Sequence, residues 1–229
     1  MVGFLELRWP LLGSKAQNKS KNWEEDYINY ASSQKKVARY LKRLSCFTFD
    51  KSEEQNYILD LFCGTGENTQ ALKSLNCQNV TQMDLSYNLL QHGLAGQRVC
   101  ANALQLPVKD EVYDKVVVQG GFHHLEGLEA FRHCLQEISR VLKKGCQLLF
   151  CESYLTRRLS CVLWALETPL VYLHPQAPAV RRMVRMEGET YRHWLEHWNS
   201  YKKIVQELFE IEKEQHSWNT IFMSCRKIL

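Results

Sequence analysis

The sequence predicts an α/β protein: a doubly wound, mostly parallel seven-stranded sheet with an antiparallel last strand and a helical cap. Three observations predict it. From Tyr57 to Glu152, short apolar runs alternate with amphipathic stretches, the rhythm of parallel strands joined by crossover helices. The first run ends in two glycines one residue apart, Gly64 and Gly66. Another run, Val116-Val117-Val118, is apolar at successive positions, as in a strand covered on both faces.

The elements follow in order. Residues 14–22 are polar and lysine-rich and read as a loop. From Trp23 to Leu44, Tyr27, Tyr30, Val37, Tyr40 and Leu41 recur at helical spacing. Lys51 to Gln55 is a polar break. Tyr57–Phe62 is the first strand, Asn68–Leu75 a helix, Val80–Met83 a second strand stopped by Asp84, and Tyr87–Gly93 a short helix. Arg98–Ala101 and Tyr113–Gln119 are the third and fourth strands. Leu128, Phe131, Leu135, Ile138 and Leu142 form one helical stripe. Lys143-Lys144-Gly145 reads as its end, with cations in the last turn and glycine beyond. Gln147–Cys151 is the fifth strand. Residues 153–200 lose the strand rhythm and are rich in Trp, His, Arg and Pro. Tyr201–Leu208 resumes a helix, and Phe209–Ile211 with Thr220–Cys225 reads as a closing antiparallel pair. The expected organisation is thus a single domain: an N-terminal helical lid (1–47), a core (57–152), an inserted cap (153–200) and a closing helix and strand pair (201–229).

Composition narrows the function classes. The 229 residues suffice for one α/β domain with a small cap. A net charge of +4 and a pI near 8.5 fall short of the dense basic stripe of a dedicated nucleic-acid binder. The nine cysteines are scattered without a CxxC pair, which reads as buried thiols in a reducing, cytoplasmic setting. No apolar run reaches the ~18 residues of a membrane span; Leu159 to Leu173 comes nearest and is broken by Glu167 and Pro169.

The central motif is Ile58-Leu59-Asp60-Leu61-Phe62-Cys63-Gly64-Thr65-Gly66-Glu67. Glycines let a chain turn sharply and approach a ligand closely, and the helix start that follows offers free N–H groups to an anion. Asp84 comes eighteen residues after Gly66, at the end of the second strand, where a carboxylate can accept both hydroxyls of a ribose. The bare pattern fits more than one cofactor and also a structural strand–helix turn. A dinucleotide fingerprint would need a third glycine; Thr69 stands there.

Further motifs make the pattern specific. Asn102-Ala103-Leu104-Gln105-Leu106-Pro107 follows the third strand, Asp110 to Val118 leads into and through the fourth, Gly121-Phe122-His123-His124-Leu125 leaves it, and Arg140 to Gly145 precedes the fifth. From Ile58 to Glu152 the chain resembles the class I S-adenosylmethionine-dependent methyltransferases, in particular the branch of quinone and other small-molecule methyltransferases. The resemblance implies a Rossmann-like methyltransferase fold and S-adenosylmethionine as cofactor, with S-adenosylhomocysteine as product. It implies that Asp60, Cys63, Gly64 and Gly66 hold the methionine portion, that Asp84 takes the ribose hydroxyls and that Leu85 packs on the adenine. Asn102, where the family usually has Asp, and Ala103 would border the adenine, and Gln119 would line the pocket near the sulfonium. Tyr27 and Tyr30 would close over the cofactor or pack in the core.

Methyl transfer needs an aligned nucleophile and exclusion of water; a hydroxyl nucleophile also needs a base, a role that suits histidine. His123, His124 and Glu152, at the carboxyl ends of the fourth and fifth strands, are the candidate catalytic residues; each also has a structural reading, as a cap or a packed side chain. Tyr154, Trp164, Tyr191, Trp194 and Trp198 are the candidates to line an acceptor cavity or pack on the sheet. His193-Trp194-Leu195-Glu196-His197 spells the HxxEH of zinc proteases, but the core motifs belong elsewhere and no metal is expected. Arg157-Arg158 before Leu159 to Leu173 reads as a buried cap helix or as a peripheral membrane contact. Lys35-Lys36 and Lys42-Arg43 read as a solvated helix face.

The expected function is methyl transfer from S-adenosylmethionine to a small apolar or aromatic acceptor, with oxygen favoured. Two alternatives stay open: a tRNA methyltransferase, sharing the Ala-Leu-x-Leu-Pro and His-His features but lacking a basic stripe, and a protein that binds the cofactor without transferring methyl.

Overall fold

The computed structural model describes residues 24–25, 27–29, 33–49, 51–94, 96–169, 172 and 177–228. Tyr30 and most of the expected N-terminal lid lie outside the described residues.

Seven strands form one sheet: β1 (Tyr57–Leu61), β2 (Asn79–Asp84), β3 (Gln97–Cys100), β4 (Tyr113–Gln119), β5 (Leu142–Ser153), β6 (Phe209–His216) and β7 (Thr220–Lys227), in the order β3-β2-β1-β4-β5-β7-β6. β1 to β5 pair in parallel, and β7 runs antiparallel to both β5 and β6. The helices with bounds inside the described residues include α1 (Ser33–Leu44), α2 (Glu67–Lys73), α3 (Tyr87–Gln91), α4 (Gly127–Val141), α5 (Arg157–Leu166), α6 (Ala177–Glu196) and α7 (Trp198–Leu208).

The sheet is covered on both faces, and the Val116-Val117-Val118 run shows it. Val116 and Val118 enter one core with Phe131, Leu135, Ile138, Trp194 and Tyr201 from α4, α6 and α7. Val117 enters the other core with Tyr40, Leu44, Ala71 and Leu72 from α1 and α2. All three valines are fully buried, which explains a strand without polar alternation.

Local chemistry sets the helix ends. The Ser86 hydroxyl accepts from Leu89 N at 3.1 Å at the start of α3, and Thr156 Oγ1 accepts from Leu159 N at 3.1 Å at the start of α5; both side chains satisfy an orphan donor. α4 ends at Val141, one turn earlier than the lysine pair suggests. Lys143, Lys144 and Gly145 belong instead to the start of β5, where the register against β4 shifts between Tyr113 and Lys115. The correction has a physical source: Tyr113 pairs with Leu142, and the Lys143 ammonium reaches the Asp114 carboxylate at 2.8 Å, so sheet pairing captures the residues that a lone helix would have used as its cap.

The strand order reverses between β1 and β4. Outside the carboxyl ends of these two strands lies the crevice where open α/β sheets bind ligands, and the glycine loop and Gln119 both stand at that point.

Candidate cofactor and acceptor site

β1 delivers Asp60 to the crevice. Its carboxylate is 1% exposed and accepts from Asn68 Nδ2 at 2.7 Å and Thr69 Oγ1 at 2.5 Å, both in the first turn of α2. Burial pushes the Asp60 carboxyl up to about 7 against the pull of those two hydrogen bonds, with Asp84 nearby adding to the rise. Asn68 also links to β4: its Oδ1 accepts from Gln119 Nε2 at 2.6 Å, and Gln119 Oε1 accepts from the Cys151 thiol at 3.4 Å. A chain of hydrogen bonds thus runs from β1 through α2 to β4 and β5.

The glycine loop is tied to β2. Gly64 N donates to Asp84 Oδ2 at 2.8 Å, Ser86 N donates to Asp84 Oδ1 at 2.8 Å, and Cys63 N donates to the Met83 carbonyl at 3.1 Å. Burial raises the Asp84 pKa, opposed by the Ser86 and Gly64 N–H groups; burial likewise raises the thiol of Cys63. Two glycines are demanded by shape. Gly66 has φ +80°, and a Cβ there would lie 2.4 Å from Gln82 Oε1; Gly64 has φ +54°, and a Cβ there would lie 2.9 Å from the Tyr27 hydroxyl. Side chains are strained in that left-handed region. Tyr27 therefore lies directly over the loop, its hydroxyl 3.3 Å from that of Tyr40 and its carbonyl bonded by Lys36 Nζ at 2.8 Å.

The rim is apolar and open. Leu85 is 69% exposed beside Asp84. Asn102 is exposed, and its Oδ1 accepts from Leu104 N at 2.9 Å; that bond fixes the amide so that Nδ2 is its outward group. Ala103 is buried behind it. Arg140 pins this segment, donating to the carbonyls of Leu106 and Val108 and to Asp110 and Glu137.

The three candidate catalytic residues come together at the ends of β4 and β5. Glu152 is 1% exposed. Its Oε1 accepts from Gly121 N and Phe122 N, each at 2.7 Å, and its Oε2 lies 2.8 Å from His123 Nδ1. His123 Nε2 lies 3.7 Å from Glu187 Oε2 on α6. Burial opposes a charge on His123, but Glu152 and then Glu187 outweigh it and raise its pKa to about 10. An imidazolium has no lone pair with which to take a proton, so the His123–Glu152 pair is a poor general base as it stands. Glu152, fully engaged, clamps the turn that carries both histidines. His124 has its ring centroid 4.2 Å from that of His123; crowding by the surrounding protein, and then the His123 charge, push it down to about 4 although one side reaches solvent.

The aromatic candidates divide. Tyr191 meets His123 edge-on at 5.3 Å. Tyr154 is half-buried against Trp198 and His216. Trp164 is 57% exposed on α5. Of the two readings for Trp194, core packing fits its surroundings: it is 1% exposed, packs on Phe122, Phe131 and Tyr201, and donates its indole N–H to the Ser153 carbonyl at 2.9 Å. Trp198, 7% exposed, packs against it. A tryptophan buries more apolar area than any other side chain and keeps its N–H satisfied here, so the core takes it. His193 and His197 stack at 4.2 Å, and His193 Nδ1 lies 2.7 Å from the Tyr201 hydroxyl.

Sequence reasoning missed Asn68 and Thr69 as the holders of Asp60, and Glu187 as the partner of His123. The first two carry a local signal, a polar helix start eight and nine residues after a strand-end carboxylate. Glu187 carries none, because only the packing of α6 brings it to β4.

The methyltransferase domain family matches residues 59–150. Over 178 residues the chain is 28% identical to the demethylmenaquinone methyltransferase of Corynebacterium urealyticum, covering 72% of this chain and 70% of the relative. It is 31% identical over 142 residues to that of Mycobacterium tuberculosis, covering 61% and 57%. The chain thus spans little more than half the length of several curated relatives it matches. A crystal structure from Pyrococcus horikoshii OT3 superposes with a TM-score of 0.67 at 15% identity, covering 91% of this chain and 99% of that one. A Methanosarcina mazei structure described as a SAM-dependent methyltransferase superposes with a TM-score of 0.57 at 18% identity, covering 80% and 95%. Residues 59–150 thus carry the methyltransferase domain match, the sheet order and the glycine loop joined to Asp84 fit an S-adenosylmethionine-dependent methyltransferase, and the chain is similar in sequence to bacterial demethylmenaquinone methyltransferases.

Proposed function

We propose that this protein transfers the methyl group of S-adenosylmethionine to a small apolar or aromatic acceptor, with a quinol- or phenol-type oxygen favoured. The observation that carries the reading is the junction of loop and strand end, where Gly64 N donates to Asp84 at 2.8 Å beside an open, apolar Leu85. The residues present fit the cofactor. The Gly64-to-Gly66 turn is a cradle that a Cβ would fill. Asp84, with one N–H on each oxygen, keeps lone pairs for the two ribose hydroxyls.

S-adenosylmethionine, when bound, supplies a methyl group on an already electrophilic sulfonium. The chain's own residues bind, orient and exclude water. Asp60, with a pKa raised to about 7, gains full charge when a cationic amine is set beside it, which suits the amino acid end. Cys63 and the glycine loop line that end, and Tyr27 covers it. Leu85 and Ala103 give the adenine an apolar seat, and Asn102 Nδ2 points outward as a donor for a ring nitrogen. Gln119, fixed by Asn68, faces the reacting end of the crevice. The acceptor side is bordered by His124, Tyr191 and Tyr154. The printed names of the curated relatives support a quinol-type acceptor. Val162 and Trp164, 40% and 57% exposed on α5 beside the exposed Arg157 and Arg158, support an apolar acceptor met at a membrane surface. No helix among the described residues is long and apolar enough to cross a membrane.

Calorimetric titration with S-adenosylmethionine and S-adenosylhomocysteine tests the cofactor, and transfer of labelled methyl to quinols and phenols tests the acceptor. Asp84→Ala removes two charge-assisted bonds and should weaken binding by at least ~30-fold. A folded wild type that binds neither ligand refutes the reading.

A further inference from the structure

We propose that His123, His124 and Glu187 form a binding site for one divalent first-row transition-metal ion at the carboxyl edge of the sheet. One ligand atom from each residue lies within 4.8 Å of the others. An ion with bonds of ~2.0–2.2 Å draws its ligand atoms to ~3–4 Å apart, so closure shortens the widest separation by about 1–2 Å, shared between the two side chains. The donor set is two imidazole nitrogens and one carboxylate oxygen, and the ion takes the place of the proton that His123 Nε2 otherwise holds toward Glu187. Imidazole favours zinc, iron, cobalt or nickel over magnesium and calcium, which prefer all-oxygen sites.

The surroundings are those of a built site. His123 and His124 are held as neighbours on one 3-10 turn, Phe122–His124, their rings 4.2 Å apart. Glu152 stands behind His123, 2.8 Å from Nδ1. Metal-binding histidines commonly present such a carboxylate to the second ring nitrogen, which fixes the tautomer and turns the first toward the ion. Here it leaves Nε2 facing Glu187, 3.7 Å away. Glu152 is itself fixed by the Gly121 and Phe122 N–H groups. Glu187 arrives from α6 where that helix is interrupted: Gly188, the next residue, has φ 50° and ψ −116°. Charge adds to the case. Two carboxylates converge on His123, Glu152 on Nδ1 and Glu187 on Nε2. His123 is buried, Glu187 is 13% exposed and His124 is exposed, so three ligands occupy one side and the solvent side stays open for water or an acceptor oxygen. Use of the ion in methyl transfer rests on the function proposed above; its binding does not.

The test begins with protein stripped by a chelator, titrated with zinc chloride by calorimetry and with cobalt(II) chloride by visible absorption. The expected result is one equivalent bound in the micromolar range or tighter, with ligand-field bands and no thiolate charge-transfer band. His124→Ala and Glu187→Gln change side chains that reach solvent; both should keep the metal-free melting temperature and weaken binding by at least ~10-fold. The His193→Ala, His197→Ala double variant removes the other histidine pair and should bind as the wild type does. Binding no tighter than millimolar, unchanged affinity in His124→Ala and Glu187→Gln, loss confined to the His193/His197 variant, or a thiolate band from the free cysteines would each overturn the site. Because the readout is the metal alone, failure here is distinct from failure to bind S-adenosylmethionine.

Discussion

Asp60 makes the most exacting prediction, because the same buried carboxyl sits at the centre of the loop and its cost depends on pH. In the folded chain its pKa is raised from 3.8 to about 7 by burial, against the bonds from Thr69 and Asn68. The folded state therefore holds a proton that the unfolded state has lost between those two values. Stability rises with pH only where the unfolded state binds more protons; here the reverse holds. The contribution of Asp60 is fully present below about 4 and is lost as the pH rises through about 7. A carboxyl displaced that far shifts folding stability by on the order of 4 kcal/mol across the interval. Asp60→Asn removes the titration and nearly keeps the shape: its Oδ1 accepts from one neighbour, and the Thr69 hydroxyl can turn to accept from the new amide. Urea unfolding of both proteins from pH 4 to pH 8, without cofactor, measures the difference. The variant should gain on the wild type steadily as the pH rises. A difference that stays constant with pH would show that Asp60 is not desolvated as the structure has it.

Three further outcomes follow from the packing. Gly66→Ala places a Cβ at φ +80° and 2.4 Å from Gln82 Oε1; it should cost at least ~1–2 kcal/mol and lower the melting temperature by several degrees, read by thermal denaturation. Trp194→Ala empties a core position that is 1% exposed and should cost ~3–5 kcal/mol in chemical denaturation; a loss below ~1 kcal/mol would return this side chain to a cavity wall. Arg140→Ala frees the carbonyls of Leu106 and Val108. It should cost ~1–3 kcal/mol and raise amide exchange from Leu104 to Asp110 above the wild-type rate, while the exchange of β1 stays slow.

Much of the nucleotide half was legible in the chain itself, and the rest was not, for a common reason. Strand β4, the stripe of α4, the glycine turn and Asp84 at the end of β2 are written in short windows. Apolar periodicity and the stereochemistry of glycine act between residues a few positions apart, so the sequence determined the strand–helix rhythm and the place of the crevice without help. Which side chains meet across that crevice depends on strand register and on how distant helices cross, and no local window holds that. Tyr113 pairing with Leu142 drew Lys143 to Gly145 out of a helix end into β5. The crossing of α6 and α7 over the sheet buried Trp194. Glu152 met His123 because β5 lies beside β4, and Glu187 reached the same histidine because α6 breaks at Gly188. The two histidines of HxxEH had the spacing of metal ligands along one helix, yet the structure stacks them on each other and pairs one with Tyr201. The cluster with a carboxylate behind it was assembled from three separate elements, which tertiary packing alone could bring within one coordination sphere.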